Sequence, residues 1–287
     1  MPRSSPWLPF LFVFLWSTGF IGAKLGLPYA EPLTFLLIRY LLVIVLMTLL
    51  VVATHAPWPA EPQQFIHIGV SGLLLHAVYL GGVFIAIKRG LPAGVTALVV
   101  GMQPLLTAFG AGLLLGERVT LRQWLGLLLG FLGVALVVAD KLGNVPLAAM
   151  LLPALAALLG ITVGTLYQKR FCPHFDLRTG AVIQFLPTAA LTAAIAWLCE
   201  DLRVEWTPHF VFALLWLVGV LSLGAISLLN VLIRNGSAVN VASLFYLTPP
   251  STALIAWLLF GETLPPAALA GMVLAVAGVY LARARSR

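Results

Sequence analysis

His76 and Tyr79 stand three residues apart near the centre of a long apolar stretch, a spacing that sets both on one helix face. An imidazole in hydrocarbon is costly unless it meets a polar or wet interior, so an ionisable group at that depth points by default to a ligand path. The alternative is a histidine bonded between helices for packing alone. Among the side chains at mid-depth in such stretches, His76 alone titrates near neutrality. No Asp or Glu falls inside an apolar stretch; all nine acidic residues sit at stretch ends or between them. Exchange of a proton for a cation at a buried carboxylate is therefore disfavoured, which leaves histidine-linked coupling or uncoupled diffusion.

Pro104, and the pair Pro249 and Pro250, interrupt apolar stretches at depth. Proline has no N–H and displaces the carbonyl four residues earlier, which strips Val100, Phe245 and Tyr246 of their helical partners. Free carbonyls inside a bilayer are tolerated where protein or a wet cavity satisfies them. Gln103, Tyr246 and Thr248 flank these kinks and are the first candidates for substrate contact; a purely structural kink filled by a hydroxyl or water is the alternative. Trp16, Ser17 and Thr18 cluster in the first apolar stretch, with Lys24 on the face of Ser17. Thr162, Thr165 and Lys169 align in the same way in the sixth. These hydroxyls contact substrate or bond their own backbone, and the lysines, near stretch ends, snorkel outward. Arg39 lies about 10 Å inside the second stretch by helical rise, where it pairs with carbonyls, snorkels or gates an anion.

The elements that must position these groups follow from composition. Of 287 residues, 61% are hydrophobic and 9% charged, against about 25% charged in soluble domains, so the chain is a polytopic membrane protein embedded in a lipid bilayer. Strand-like alternation is absent, so the spans are helices. Ten are expected, over Trp7–Leu27, Leu33–Ala53, Phe65–Ile87, Pro92–Leu115, Leu121–Ala139, Ala148–Tyr167, Thr179–Cys199, Phe210–Leu232, Ala238–Phe260 and Pro265–Ala282; most reach the roughly 20 residues that cross a bilayer. The net charge of +7 is scattered over helix ends, a pattern of orientation rather than of nucleic-acid binding. Cys172 and Cys199 are too far apart to bridge, and no spacing of ligands suggests a metal or cofactor.

The two halves are copies. Adding 145 carries Lys24 to Lys169, Pro104 to Pro249, Gly126 to Gly271 and Gly133 to Gly278 without a gap, and from Leu91 to Val138 about fifteen of roughly forty-eight aligned positions are identical. Five spans per copy is an odd number, so the copies must lie in opposite orientations. The fold expected is all-α, ten transmembrane helices in two inverted five-helix repeats, over residues 1–142 and 146–287, joined by an external linker at 143–145. Repeats of this kind place a binding site at their interface near the midplane. Ten Lys and Arg fall on the side of the chain ends and six on the other, which sets both termini in the cytoplasm and the protein in a bacterial-type inner membrane. Gly126, Gly130, Gly271 and Gly278 allow close helix approach, between the halves or across a homodimer. Glu117 and Glu262 precede the fifth and tenth helices, whose positive N-termini they can favour.

Leu15-Trp16-Ser17-Thr18-Gly19-Phe20 with Lys24, Phe35-Leu36-Leu37-Ile38-Arg39-Tyr40, Gln103-Pro104-Leu105, Leu115-Gly116-Glu117-Arg118-Val119-Thr120 and Gln123-Trp124-Leu125-Gly126, echoed by Thr248-Pro249-Pro250 and Phe260-Gly261-Glu262, resemble the EamA-like family of the drug/metabolite transporter superfamily. The resemblance spans essentially the whole chain. It implies a secondary transporter, commonly an exporter, with a central cavity between the halves and a small-molecule substrate. The second copy departs from the pattern: Ile161 stands opposite Trp16 and Gln184 opposite Arg39. The expected function is export of a small metabolite, an amino acid or a similar polar or amphipathic compound, by alternating access. The competing readings are an integral-membrane enzyme and a non-transporting scaffold; His55, His67, His76, His174 and His209 show no H-E-x-x-H pairing.

Overall fold

A computed structural model of the chain describes residues 7–91, 93–137, 147–260 and 265–282. Among these, helices cover almost every segment, and the β contact is an isolated bridge between Ala30 and Val204. The linker at 143–145, Gly261-Glu262 and both chain ends lie outside the described residues. Among the described residues seven helices are long and apolar enough to cross a membrane: Leu8–Gly26, Pro32–Thr54, Pro62–Lys88, Thr96–Leu114, Leu151–Phe171, Leu177–Cys199 and Pro208–Asn235. They are the first to fourth and sixth to eighth spans. The fifth (Leu121–Val137) and tenth (Pro266–Ala282) are apolar helices of 17 residues, at the short end of the spanning range. The ninth is built from three consecutive pieces, Ala238–Ser243, Leu244–Leu247 and Thr248–Phe260.

Local chemistry sets the helix starts. Pro32, Pro62 and Pro208 occupy first-turn positions, where a missing N–H costs nothing. Thr207 accepts from the Phe210 amide and Ser237 from the Asn240 amide, each satisfying a first-turn donor. The fifth span opens on a reciprocal cap, in which the Thr120 amide donates to Gln123 Oε1 and the Gln123 amide to Thr120 Oγ1.

Burial is inverted relative to a soluble protein. Arg39, Gln103, Thr107 and Gln184 are wholly buried, whereas Leu113, Leu198 and Val273 face outward. Only hydrocarbon outside makes that distribution favourable.

The helix pairing carries the repeat into three dimensions. The second span packs on the seventh and the fifth on the tenth. The first packs on the eighth and ninth, and the sixth on the third and fourth. Exchanging every span with the one five later reproduces the same set of pairs, so a twofold relates the halves. The fifth–tenth seam uses the glycines. A Cβ on Gly133 would meet the Ala275 amide and the Gly271 carbonyl, and one on Gly278 would meet Gly130 backbone. With lipid as solvent on both sides, such backbone approach is what drives helices together. Of the two roles expected for these glycines, packing between the halves is the one the chain itself fills.

Four interruptions of α geometry obey the same twofold. The third span winds as a π-helix over Leu73–Val78, and the eighth over Leu217–Ala225. The fourth breaks at Gly101-Met102, between Ala93–Val100 and Gln103–Leu114, two residues before Pro104. The ninth tightens to a 3₁₀ turn over Leu244–Leu247, just ahead of Pro249 and Pro250. π segments are rare and concentrate at functional positions.

Candidate substrate site between the repeats

Trp16 stands at the middle of the first span with three aromatic neighbours. It stacks on Tyr79 of the third span at 6.3 Å and 9°, and meets Phe245 of the ninth edge-on at 5.3 Å and 90°. Phe12, one turn earlier, packs against both Trp16 and Phe245. Two cavities adjoin this wall. One, of about 30 Å³, is bounded by Trp16, Gly19, Arg39, Tyr79, Phe84 and Leu221. The other, of about 20 Å³, is bounded by Trp16, Tyr79, Val100, Gly101, Phe245, Thr248 and Pro249, and so reaches both helix breaks. A water needs about 10–15 Å³ of such space, so each is only large enough for a water or two in this conformation.

Two of the lining residues have buried polar atoms without a hydrogen bond: the Thr248 hydroxyl and the two terminal nitrogens of Arg39. Elsewhere in the interior the Tyr246 hydroxyl, both ends of the Gln103 amide, the Thr107 and Thr165 hydroxyls and both ring nitrogens of His76 are also unpartnered, with the Tyr246 ring set against Gly130 of the fifth span. Most buried polar groups in folded proteins are paired, and orphans in this number are costly unless something else meets them. Ser17, Thr18 and Thr162 are different. Ser17 donates to the Val13 carbonyl at 2.7 Å, Thr18 to Leu15 at 2.6 Å and Thr162 to Leu158 at 2.7 Å. Each hydroxyl is held by its own helix. Ser17 and Thr18 also tie the first span to its neighbours. Thr252 donates to the Ser17 carbonyl and Trp216 Nε1 donates to Thr18 Oγ1 at 3.0 Å.

His76 and Tyr79 do not share a face. The π winding between them opens the turn, so Tyr79 looks onto Trp16 while His76 stacks on Phe185 of the seventh span at 4.3 Å and 9°. A spacing of three means one face only in an α-helix, and nothing in Leu73-Leu74-Leu75-His76 marks a π turn. Phe84 carried no signal in the sequence, Phe245 was singled out only for its freed carbonyl, and Arg39 was left among three alternatives. Ser222 had no local signal at all; it is defined by the donor that reaches it.

Ties close the bundle on both sides of the cavities. At one end the Glu200 carboxylate accepts from the Leu33 and Thr34 amides and the Thr34 hydroxyl, at 2.8, 2.7 and 2.7 Å. It thereby meets the positive N-terminus of the second span. Deeper on that side, Arg39 Nε donates to Ser222 Oγ at 2.9 Å. At the opposite end Gln184, seven residues into the seventh span as Arg39 is into the second, donates to Ser71 Oγ at 3.0 Å and Gln168 Oε1 at 3.2 Å. Gln168 in turn donates to Asn230 Oδ1 at 2.9 Å, and Lys169 clasps the carbonyls of Ile233, Arg234 and Gly236 that end the eighth span. Glu117 accepts from the Ala238 amide at 3.0 Å. It caps the ninth span, not the fifth it precedes, because the repeat fold brings the start of the ninth to its turn. Glu262 lies outside the described residues.

A helical membrane protein of two twofold-related halves, with broken helices and orphaned polar groups at their interface, defines the class. The EamA-like transporter family matches residues 5–139 and again 148–284, and the chain belongs to that family. It is 29% identical to the "Uncharacterized transporter YvbV" of Bacillus subtilis, over 99% of this chain and 93% of that protein. It is 28% identical to the "Probable amino-acid metabolite efflux pump" of Salmonella typhimurium, over 98% and 95%. It is 25% identical to the "Probable terminal-alkyne amino-acid exporter" of Streptantibioticus cattleyicolor, over 98% and 93%. A crystal structure of a protein 22% identical covers 96% of this chain and 94% of its own, with a TM-score of 0.77, which shows a shared fold. The protein is a multi-pass membrane transporter and not an enzyme.

Proposed function

We propose that the protein exports a small metabolite, an amino acid or a compound of similar polar or amphipathic character, by alternating access at the interface of the repeats. One observation carries this: the fourth and ninth spans both break beside the same aromatic wall, where Trp16, Tyr79 and Thr248 line a cavity between the halves. Broken spans at a repeat interface are where transporters of this architecture hold substrate. The names of the efflux relatives support the substrate class. Around Trp16, Tyr79 and Thr248 we place Tyr246, Gln103, Thr165 and His76, whose free polar groups come into reach as the halves rock. Ser17, Thr18 and Thr162 hold the walls. Pro104, Pro249 and Pro250 keep the breaks in place.

In this reading the repeats are residues 1–142 and 146–287, the linker 143–145 is external, and both termini lie in the cytoplasm of a cell bounded by an inner membrane. The test is counterflow in proteoliposomes with a panel of radiolabelled proteinogenic amino acids, beside metabolite profiling of medium from overproducing cells. Exchange of at least one panel member, together with its accumulation outside, is expected. An absence of exchange across the panel overturns the reading.

A further inference from the structure

We propose that Arg39 is the anchor for the transported molecule and that it holds a carboxylate. This rests on the transporter reading above and names what the site selects. Arg39 is wholly buried and lines the cavity beneath Trp16 and Tyr79. Ser222 takes its Nε hydrogen at 2.9 Å, which fixes the plane of the guanidinium and leaves both terminal nitrogens without a partner. A guanidinium keeps its charge when buried, and an isolated buried charge is strongly unfavourable.

Among the described residues no carboxylate neutralises it: at that end Glu31 lies 3.1 Å from Lys88, Glu200 caps the second span, and Asp201 and Glu205 are exposed in the loop that follows the seventh. What matches two parallel N–H donors with a single positive charge is a planar monoanion, the bidentate partner of arginine. A phosphate dianion would leave one charge uncompensated in hydrocarbon. Beside the fork stand the Trp16 and Tyr79 rings, 6.3 Å apart, whose faces can receive the α-ammonium of an amino acid, together with Phe84 and Leu221, so the side chain carried beside the carboxylate is apolar. Gln184, the twofold counterpart of Arg39, is neutral: its Nε2 donates to two partners and its Oε1 is left unpaired. The anchor therefore exists in one half only, and the substrate binds in one orientation.

The experiment uses the full-length protein in proteoliposomes, with L-leucine, L-methionine and L-phenylalanine as probes and their carboxamides as competitors. The acids should compete about 10- to 100-fold better than the carboxamides, the loss expected when a charge-assisted hydrogen bond is removed. Arg39→Met should abolish exchange, and Arg39→Lys should keep a weakened remnant because it restores charge without the fork. Melting of the ligand-free variants separates anchoring from architecture. If Arg39 serves binding, Arg39→Met should melt no lower than the parent protein, because an unpaired buried charge has been replaced by a hydrophobe of similar length. Carboxamides exchanging as well as acids, or Arg39→Met exchanging normally, overturns the anchor while leaving the transporter reading intact. A lowered melting point in Arg39→Met overturns it too, by making Arg39 structural. No exchange of any probe or panel member overturns both.

Discussion

At the scale of single residues, the interior divides into hydroxyls that are satisfied and polar groups that are not. Ser17, Thr18 and Thr162 return their hydrogens to carbonyls three or four residues earlier, which makes them parts of their helices. Gln103, Thr165, Tyr246 and Thr248 have buried polar atoms with nothing to meet, and each such atom costs about 1–3 kcal/mol. A protein that keeps them through folding has a use for them. Gln103→Ala and His76→Ala should each lower exchange in proteoliposomes without lowering membrane abundance, since each removes groups that bond nothing in this conformation. Both variants exchanging at the parental rate would remove these residues from the site. Proline chemistry made Gln103, Tyr246 and Thr248 visible in the sequence, because the kink residues are their neighbours. Arg39 was visible as a charge at depth, but its choice among carbonyl, interface and anion depended on Ser222, 183 positions away.

At the scale of elements, the spans differ in what holds them. The fifth and tenth touch through backbone at Gly133, Gly271 and Gly278, so a side chain there has no rotamer by which to escape. Gly133→Leu should destabilise the protein by more than the roughly 1–3 kcal/mol typical of overpacking, because its Cβ would already strike the Ala275 amide. Thermal unfolding in detergent measures this, and a melting point equal to the parent's would show that the seam can part. The third span also approaches its neighbours through backbone, at Gly72 against Gln184 and at Gly82 against Pro153 and Ala157, and both it and the eighth are interrupted by π turns. The ties at the two ends, Glu200 on the second span and the chain Ser71–Gln184–Gln168–Asn230, join the halves through hydrogen bonds that can be exchanged for water. In the alternating access proposed above, the fifth–tenth seam serves as the axis and the hydrogen-bonded ends as the gates.

At the scale of the whole molecule, the two native cysteines report orientation. Cys199 ends the seventh span and is exposed, while Cys172 is buried at the opposite end of the same helix pair. Burial pushes the Cys172 thiol up to about 11, so at neutral pH it stays protonated and unreactive. An impermeant maleimide added to intact cells should label the parent protein, and should fail on Cys199→Ser. Labelling only after the membrane is opened would reverse the proposed topology. The spans, their number, the duplication and the places of the breaks were legible in the chain because each is set locally: apolar length by the bilayer, odd parity by counting, and helix breaks by the N–H that proline lacks. The tertiary structure alone decided which way His76 faces, which helix Glu117 caps, that the glycine seam closes within one chain, and that Arg39 rests on Ser222. Those depend on π turns without a sequence mark and on contacts between halves more than a hundred residues apart, where packing, not local propensity, chooses the partner.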